Sequence, residues 1–245
     1  MKKSFDDISN KEVGKIAIVS GLGPSLSLAL PDITWMNKHA RKKVAFFNCN
    51  LFDLMTDLDT DYWIVANSQP IMMIEQAHKR YNAQKDSTFI FASRIPGFQE
   101  NLADDLLEIN YIPMKDDSNL FSLPHYLQSY CSHDSKYGAV YSVAVHMIAV
   151  AIITGCKKIY ISGVDLDYSK GYVKDNVHPK GVALGKRLMG KDAIQDTINK
   201  IEYLKSCAKK VGSELYSLNP TGVLSKILEY KDIKEVRKEM EIELS

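Results

Sequence analysis

Proton transfer near neutral pH calls for an imidazole, and His178 lies in a polar stretch suited to one, Lys174-Asp175-Asn176-Val177-His178-Pro179. Of the six histidines (His39, His78, His125, His133, His146, His178) it has the best placement, beyond an apolar run. His133, in an irregular stretch, is the second candidate, and His146 reads as a core residue. Tyr168 and Tyr172 follow the apolar run that ends near Gly163, and a phenol donates to a phosphate without adding charge. With 13 tyrosines in the chain, surface packing competes with that role on equal terms. Asp165-Leu166-Asp167 spells D-x-D, which can ligate Mg²⁺ or Mn²⁺ through nucleotide phosphates. The competing reading has Asp165 ordering its loop through backbone hydrogen bonds. Lys186, Arg187 and Lys191 could pair with a phosphate or an anionic acceptor; a solvated basic face is the commoner outcome.

A second group of candidates follows the first apolar run. Lys15-Ile16-Ala17-Ile18-Val19-Ser20 leads into Gly21-Leu22-Gly23-Pro24-Ser25-Leu26. Strand, glycine turn and helix N-terminus together can leave free backbone N–H groups where a phosphate can sit, around Gly21, Gly23 and Ser25, but a bare structural turn is the commoner outcome. The turn is not G-x-G-x-x-G, because Leu26 takes the last glycine position, and it lacks the G-K-[ST] ending of a P-loop. The next two apolar runs end in Asn48-Cys49-Asn50 and Asn67-Ser68. Each asparagine alone reads as a turn residue. Three polar strand ends in succession point to a nucleotide in the crevice of an open sheet.

These residues need a scaffold, and six short runs supply its strands: Lys15–Ser20, Lys43–Asn48, Tyr62–Ala66, Thr88–Ala92, Lys158–Ser162 and Glu214–Leu218. Most are nearly continuous apolar stretches, the pattern of strands covered on both faces. Helices are expected at Gln69–Asn82, Ala139–Gly155 and Asp192–Val211, the last from apolar spacing at Ile194, Ile198, Ile201, Leu204 and Ala208. The alternation predicts an α/β fold, Rossmann-like, with a mainly parallel sheet and helices on both faces. One domain over residues 1–245 is expected, with 95–136 as an irregular excursion and 164–191 as an active-site lid. Asp57-Leu58-Asp59-Thr60-Asp61 precedes a strand and reads as a solvated turn at the opposite edge.

Composition narrows the functional classes. Lys plus Arg is 31 and Asp plus Glu 30, a net charge of +1, which argues against a nucleic-acid binder. Four cysteines lie far apart with no C-x-x-C, which excludes a zinc ribbon and fits the reduced cytosol. The chain turns acidic at Asp6 before any apolar run, so no secretory signal is read. The most apolar window, Ala139 to Gly155, is shorter than the roughly 20 residues of a bilayer span. The tail 231–245 carries Ile233, Val236, Met240, Ile242 and Leu244 among charges; it reads first as a terminal helix, packed or solvated, and second as a peripheral membrane contact.

Ile18-Val19-Ser20-Gly21-Leu22-Gly23-Pro24-Ser25-Leu26 and Phe47-Asn48-Cys49-Asn50-Leu51-Phe52 resemble the start of bacterial lipooligosaccharide sialyltransferases, glycosyltransferase family 42. Ala149 to Gly155 followed by Lys158 to Asp165 is similar to their central helix and strand, Asp175-Asn176-Val177-His178 to their catalytic segment, and Leu215 to Pro220 to a late strand and turn. The Gly163-Val164-Asp165 strand end also resembles a related family of motility-accessory glycosyltransferases and a hydroxymethylpterin diphosphokinase.

The resemblance implies an inverting transferase that moves a nonulosonic acid from a CMP donor to a surface or lipid-linked glycan without a metal. Lipopolysaccharide biosynthesis on the cytoplasmic side and a homo-oligomer go with it, and a peripheral place on the inner membrane is compatible with it. His178 would be the general base, Tyr168 and Tyr172 would hold the departing phosphate, and Asn50, Asn67, Ser142 and Gly163 would join Gly21, Gly23 and Ser25 around the nucleotide. Two departures stand out: Leu22 replaces an asparagine, and Ser142-Val143 replaces a threonine-serine pair. The alternatives are an ATP- and Mg²⁺-dependent diphosphokinase on a pterin-like alcohol and a non-catalytic nucleotide-binding protein.

Overall fold

The computed structural model describes residues 7–49, 57–65, 87–91, 107–108, 142–167 and 191–244. Eight strands form one sheet, every pair parallel: β1 (Ile16–Ser20), β2 (Val44–Cys49), β3 (Tyr62–Val65), β4 (Thr88–Phe91), β5 (Leu107–Glu108), β6 (Lys158–Ser162), β7 (Glu214–Ser217) and β8 (Glu229–Tyr230). Their order is β5-β4-β3-β2-β1-β6-β7-β8. β1 and β2 are buried at every position, which is why they read as unbroken apolar runs and not as alternations.

Successive side chains of each strand feed two separate cores. Ala17 and Val19 of β1 join Ala45, Phe47 and Ile159 on one face, under α2 (Val143–Ile153) and α3 (Lys191–Lys210). Ile16 and Ile18 join Val44, Phe46 and Tyr160 on the other, under α1 (Leu26–His39) and α4 (Ile233–Leu244). Helices on both faces of a parallel sheet make the Rossmann-like class expected above. All six predicted strands are found, each beginning within a residue of its predicted position.

Each helix buries what its sequence presents. Every residue of α2 from Ala144 to Ile153 is buried, so this is a central core helix, too short at 11 residues to cross a bilayer. No helix among the described residues is long and apolar enough for that. In α3 the predicted spacing holds: Ile201, Leu204 and Ala208 are fully buried, with Ile194 and Ile198 packed beside them. α1 buries Leu26, Ala29, Ile33 and Met36 despite Pro31 on its exposed side. Proline inside a helix removes a hydrogen bond and costs about 3 kcal/mol relative to alanine. Pro31→Ala is therefore expected to raise the unfolding free energy by about 1–2 kcal/mol, read as a higher urea midpoint; an unchanged midpoint would mean that the helix is set to the proline's shape.

Several expectations are corrected. The excursion 95–136 returns to the sheet, because Leu107–Glu108 pairs with β4 as its edge strand; its other residues lie outside the described ones, as does the helix expected at 69–82. The 57–61 stretch is no solvated turn. Leu58 and Thr60 are buried, Asn37 exchanges hydrogen bonds with the Asp59 backbone (2.8 and 3.0 Å), and Asp61 accepts from Phe46 N–H (2.8 Å) and Arg41 (2.6 Å). Burial raises the Asp61 carboxyl above the usual range, with the Phe46 amide and Arg41 opposing it. At the same amino edge, 7–14 forms a strap with no counterpart in the sequence reading. Ile8 is buried, Asn10 and Glu12 donate their N–H groups to Ile153 and Thr154 (3.0 and 2.8 Å), and the Glu12 carboxylate takes Tyr62 OH (2.9 Å) and Lys15 (2.7 Å).

Candidate functional site

At the carboxyl edge the chain reverses its direction across the sheet. It runs outward from β1 through β2 to β5, then returns to the other side of β1 with β6. Open α/β sheets bind ligands at such a switch point, and here it falls between β1 and β6. α1 and α2 both begin at this edge, α1 directly after β1 and α2 running back to the start of β6.

The two strand ends are pressed together by glycine. Gly21 donates its N–H to Ser162 O and Gly23 to Gly163 O, each at 2.8 Å. A Cβ on Gly21 would run into the carbonyl oxygen of Gly163, and one on Gly163 into that of Gly21. Gly163 also has φ of +66°, a left-handed conformation that side chains disfavour. Three residues on, Leu166 adopts φ of +53° while buried, so the loop leaving β6 is tightly contorted.

Asp165 lies at the centre of this loop. Its Oδ2 accepts the Ser25 N–H at 2.9 Å, at the first turn of α1, and its Oδ1 accepts from Asn219 Nδ2 at 2.9 Å, in the loop after β7. Asn219 is itself fixed, its Oδ1 accepting the Thr221 N–H at 3.1 Å. The carboxylate thus ties three strand-end loops together, which is the loop-ordering role weighed for the D-x-D aspartate. Among the described residues, no group of three or more His, Cys, Asp and Glu is arranged around a cation.

Between the two readings of the glycine turn, these contacts favour the structural one over the phosphate cradle: the amides of Gly21, Gly23 and Ser25 are engaged by the protein. Leu22 N–H makes no hydrogen bond among the described residues. What the edge offers instead is a row of side chains. Ser162, Ser20 and Asn48 stand in register across β6, β1 and β2, on the face covered by α1, and are 2%, 0% and 0% exposed. Asn48 donates to Thr60 Oγ1 at 2.7 Å, yet its Oδ1, both serine hydroxyls and the Ser25 hydroxyl have no partner among the described residues. Leaving such a group buried and unpaired costs about 1–3 kcal/mol, so these four oxygens are the feature of the edge that makes it the candidate site. Sequence reasoning missed Ser20 and Ser162 as site residues; their signal was a hydroxyl closing an otherwise apolar strand.

Ser142 caps α2, accepting the Ala144 N–H at 3.3 Å, and starts that helix at the same edge on the opposite face. Cys49 ends β2 beside the row, its thiol 3.8 Å from Ser20 O. Burial pushes that thiol up to about 12, so it stays protonated and is no nucleophile near neutral pH. His146 is fully buried in α2, the core position expected of it. Asn50, Asn67, His133, Tyr168, Tyr172 and His178 lie outside the described residues, as do 168–190 of the expected lid.

A parallel sheet covered by helices on both faces, with a polar, glycine-clamped crevice at its switch point, defines the class: a Rossmann-like α/β fold. Solved structures with this fold include sialyltransferases. The sialyltransferase Cst-II in complex with CMP matches with a TM-score of 0.55 at 20% identity, over 88% of this chain and 86% of that one. The sialyltransferase CstII from Campylobacter jejuni in complex with the substrate analogue CMP-3FNeuAc matches with a TM-score of 0.54 at 21% identity, over 88% and 86%. No family model matches the chain, and no curated protein does. The likeness is one of fold; it agrees with the sialyltransferase resemblance and gives none to the diphosphokinase relation.

Proposed function

We propose that the chain is a glycosyltransferase that takes its sugar from a CMP donor bound at the β1/β6 crevice. The observation that carries this is the row of unpartnered buried oxygens at the switch point of a fold whose solved examples hold CMP and a CMP-sugar analogue. Hydroxyls and an amide oxygen suit a ribose or a base edge, which need both donors and acceptors.

In this reading the transferred sugar is a nonulosonic acid, such as sialic acid, and the acceptor a surface or lipid-linked glycan. His178 removes the proton from the acceptor hydroxyl as that oxygen attacks the anomeric carbon from the face opposite CMP, which inverts the centre. Tyr168 and Tyr172 donate to the departing phosphate, so no metal is required. Asn50, Asn67 and Ser142 line the nucleotide, while Gly21, Gly23 and Gly163 act by letting β1, β6 and the Asp165 carboxylate approach. A cytoplasmic, homo-oligomeric enzyme completes the proposal.

The test is thermal unfolding with CMP, UDP, GDP or ATP, each with Mg²⁺ or with EDTA. A ligand at 100 times its dissociation constant adds about 2.7 kcal/mol, worth roughly 5–10 °C in a chain of this size. The expected result is stabilisation by CMP that survives EDTA. A response confined to ATP or UDP with Mg²⁺ overturns the proposal. His178→Ala is expected to abolish transfer from a CMP-sugar and leave CMP stabilisation in place; retained transfer removes the histidine from its role.

A further inference from the structure

We propose that Asp165 limits the site to nucleotides with a single phosphate, acting as a built-in anion in the place where a second phosphate would bind. The inference rests on the reading that the β1/β6 crevice takes a nucleotide. In α/β nucleotide-binding folds a diphosphate settles over the turn after the first strand, where helix amides point outward and the helix dipole favours negative charge. Here that turn is closed. Gly21 and Gly23 give their N–H groups to Ser162 O and Gly163 O, and Ser25 gives its own to Asp165 Oδ2 at 2.9 Å. The amides of Leu26, Ser27 and Leu28 turn back to Gly23, Pro24 and Ser25 carbonyls at 3.0, 3.1 and 3.2 Å, and Pro24 has no N–H. Leu22 keeps the turn's one amide without a hydrogen bond among the described residues.

The carboxylate is held from its other side as well. Asn219 Nδ2 reaches Asp165 Oδ1 at 2.9 Å, and the left-handed residues Gly163 and Leu166 fix the path of the loop that carries it. At Gly23 a Cβ would collide with Asp165 Oδ2, so the anion lies directly against the turn. A phosphate arriving there meets like charge at close range and finds the amides of Gly21, Gly23 and Ser25 taken, with only the Leu22 N–H and the Ser25 hydroxyl unengaged among the described residues. A nucleotide with one phosphate can keep that group towards other parts of the crevice; a diphosphate cannot keep both away. Asp165 is thus a specificity-determining residue, selecting nucleoside monophosphates and monophosphate-linked donors over diphosphate ones.

The experiment is calorimetric titration of CMP, CDP, UMP and UDP, in EDTA, into the full chain and into Asp165→Asn and Asn219→Ala. The wild-type chain is expected to bind each monophosphate about tenfold or more tightly than the diphosphate of the same base. Asp165→Asn, which removes the charge and one of the two acceptor oxygens, should bring that ratio close to one even if it lowers the affinity for all four nucleotides. Asn219→Ala loosens the carboxylate but keeps its charge and should retain the preference. A wild-type chain that binds CDP as well as CMP overturns the inference, as does an Asp165→Asn chain that weakens both and keeps the ratio. If Asp165→Asn does not fold, the wild-type ratio and Asn219→Ala still decide. Preference for UMP over CMP would sink the CMP reading and leave this one standing, whereas no binding of any of the four overturns both.

Discussion

Gly163→Ala should cost about 2–5 kcal/mol of stability, the sum of a left-handed penalty of about 1–2 kcal/mol and an overpacking penalty of about 1–3 kcal/mol. Both terms are visible at this residue. Its φ of +66° is one that a Cβ opposes, and the added atom would meet the Gly21 carbonyl, with the Gly21 carbon at 2.8 Å and Leu26 Cβ at 3.1 Å. The Gly21 backbone on one side and the Cβ at the root of the buried Leu26 side chain on the other leave nothing flexible to give way. Gly212 is the control. It has φ of +76°, but a Cβ there meets nothing within 4 Å, so Gly212→Ala should carry the conformational term alone. Urea unfolding of the two variants separates the terms. Equal losses would mean that β1 and β6 part easily at their carboxyl ends, which would weaken the case for a rigid crevice. A larger loss at Gly163, with nucleotide stabilisation also reduced, is the expected outcome.

The strands were legible because burial on both faces leaves little freedom in residue type. Val44 to Phe47 and Ile159 to Ile161 could hardly be anything else. α2 and α3 were legible for the same reason, one apolar throughout and the other apolar at helical spacing. Strands β5 and β8 were not, since two residues carry no periodicity and both strands exist only because a longer neighbour offers its edge. The strap at 7–14 escaped notice because its one anchor, Ile8, has no pattern around it; its grip comes from the α2 carbonyls and from Tyr62.

The site was legible in its location and not in its wiring. The glycine turn, the asparagine at the end of β2 and the Gly163 strand end all fall at one edge. What no local reading shows is that Ser25 and Asp165, 140 residues apart, share a hydrogen bond that fills the turn. A strand–glycine–helix sequence promises free amides only if nothing else in the fold claims them. Here the adjacent strand supplies two carbonyls and a carboxylate, so the motif that suggested a phosphate cradle has become a clamp. Ser20 and Ser162 became conspicuous only when their shared register with Asn48 and their missing partners were known together.

Val236→Asp is expected to destabilise the chain by about 3–5 kcal/mol, because it places an unpaired carboxylate in an apolar core. Ile233, Val236 and Met240 recur on one face of α4 and are 7%, 3% and 4% exposed, buried in the cluster that contains Ile18, Ile33 and Met36. Arg237 locks the helix to α1, with its guanidinium 4.7 Å from the Trp35 ring centroid and 3.2 Å from Asp32. The apolar stripe that gave the tail its amphipathic look is therefore engaged within the protein. Ile242, 75% exposed, is the contrast, and Ile242→Asp should change stability by less than about 0.5 kcal/mol. Paired urea unfolding and sedimentation with anionic vesicles distinguish a packed helix from a membrane-seeking one. A packed helix gives a large loss of stability for Val236→Asp. A membrane-seeking helix would show the reverse, with stability intact and vesicle binding lost, which would require α4 to leave α1 and open the Ile18–Met36 core to solvent.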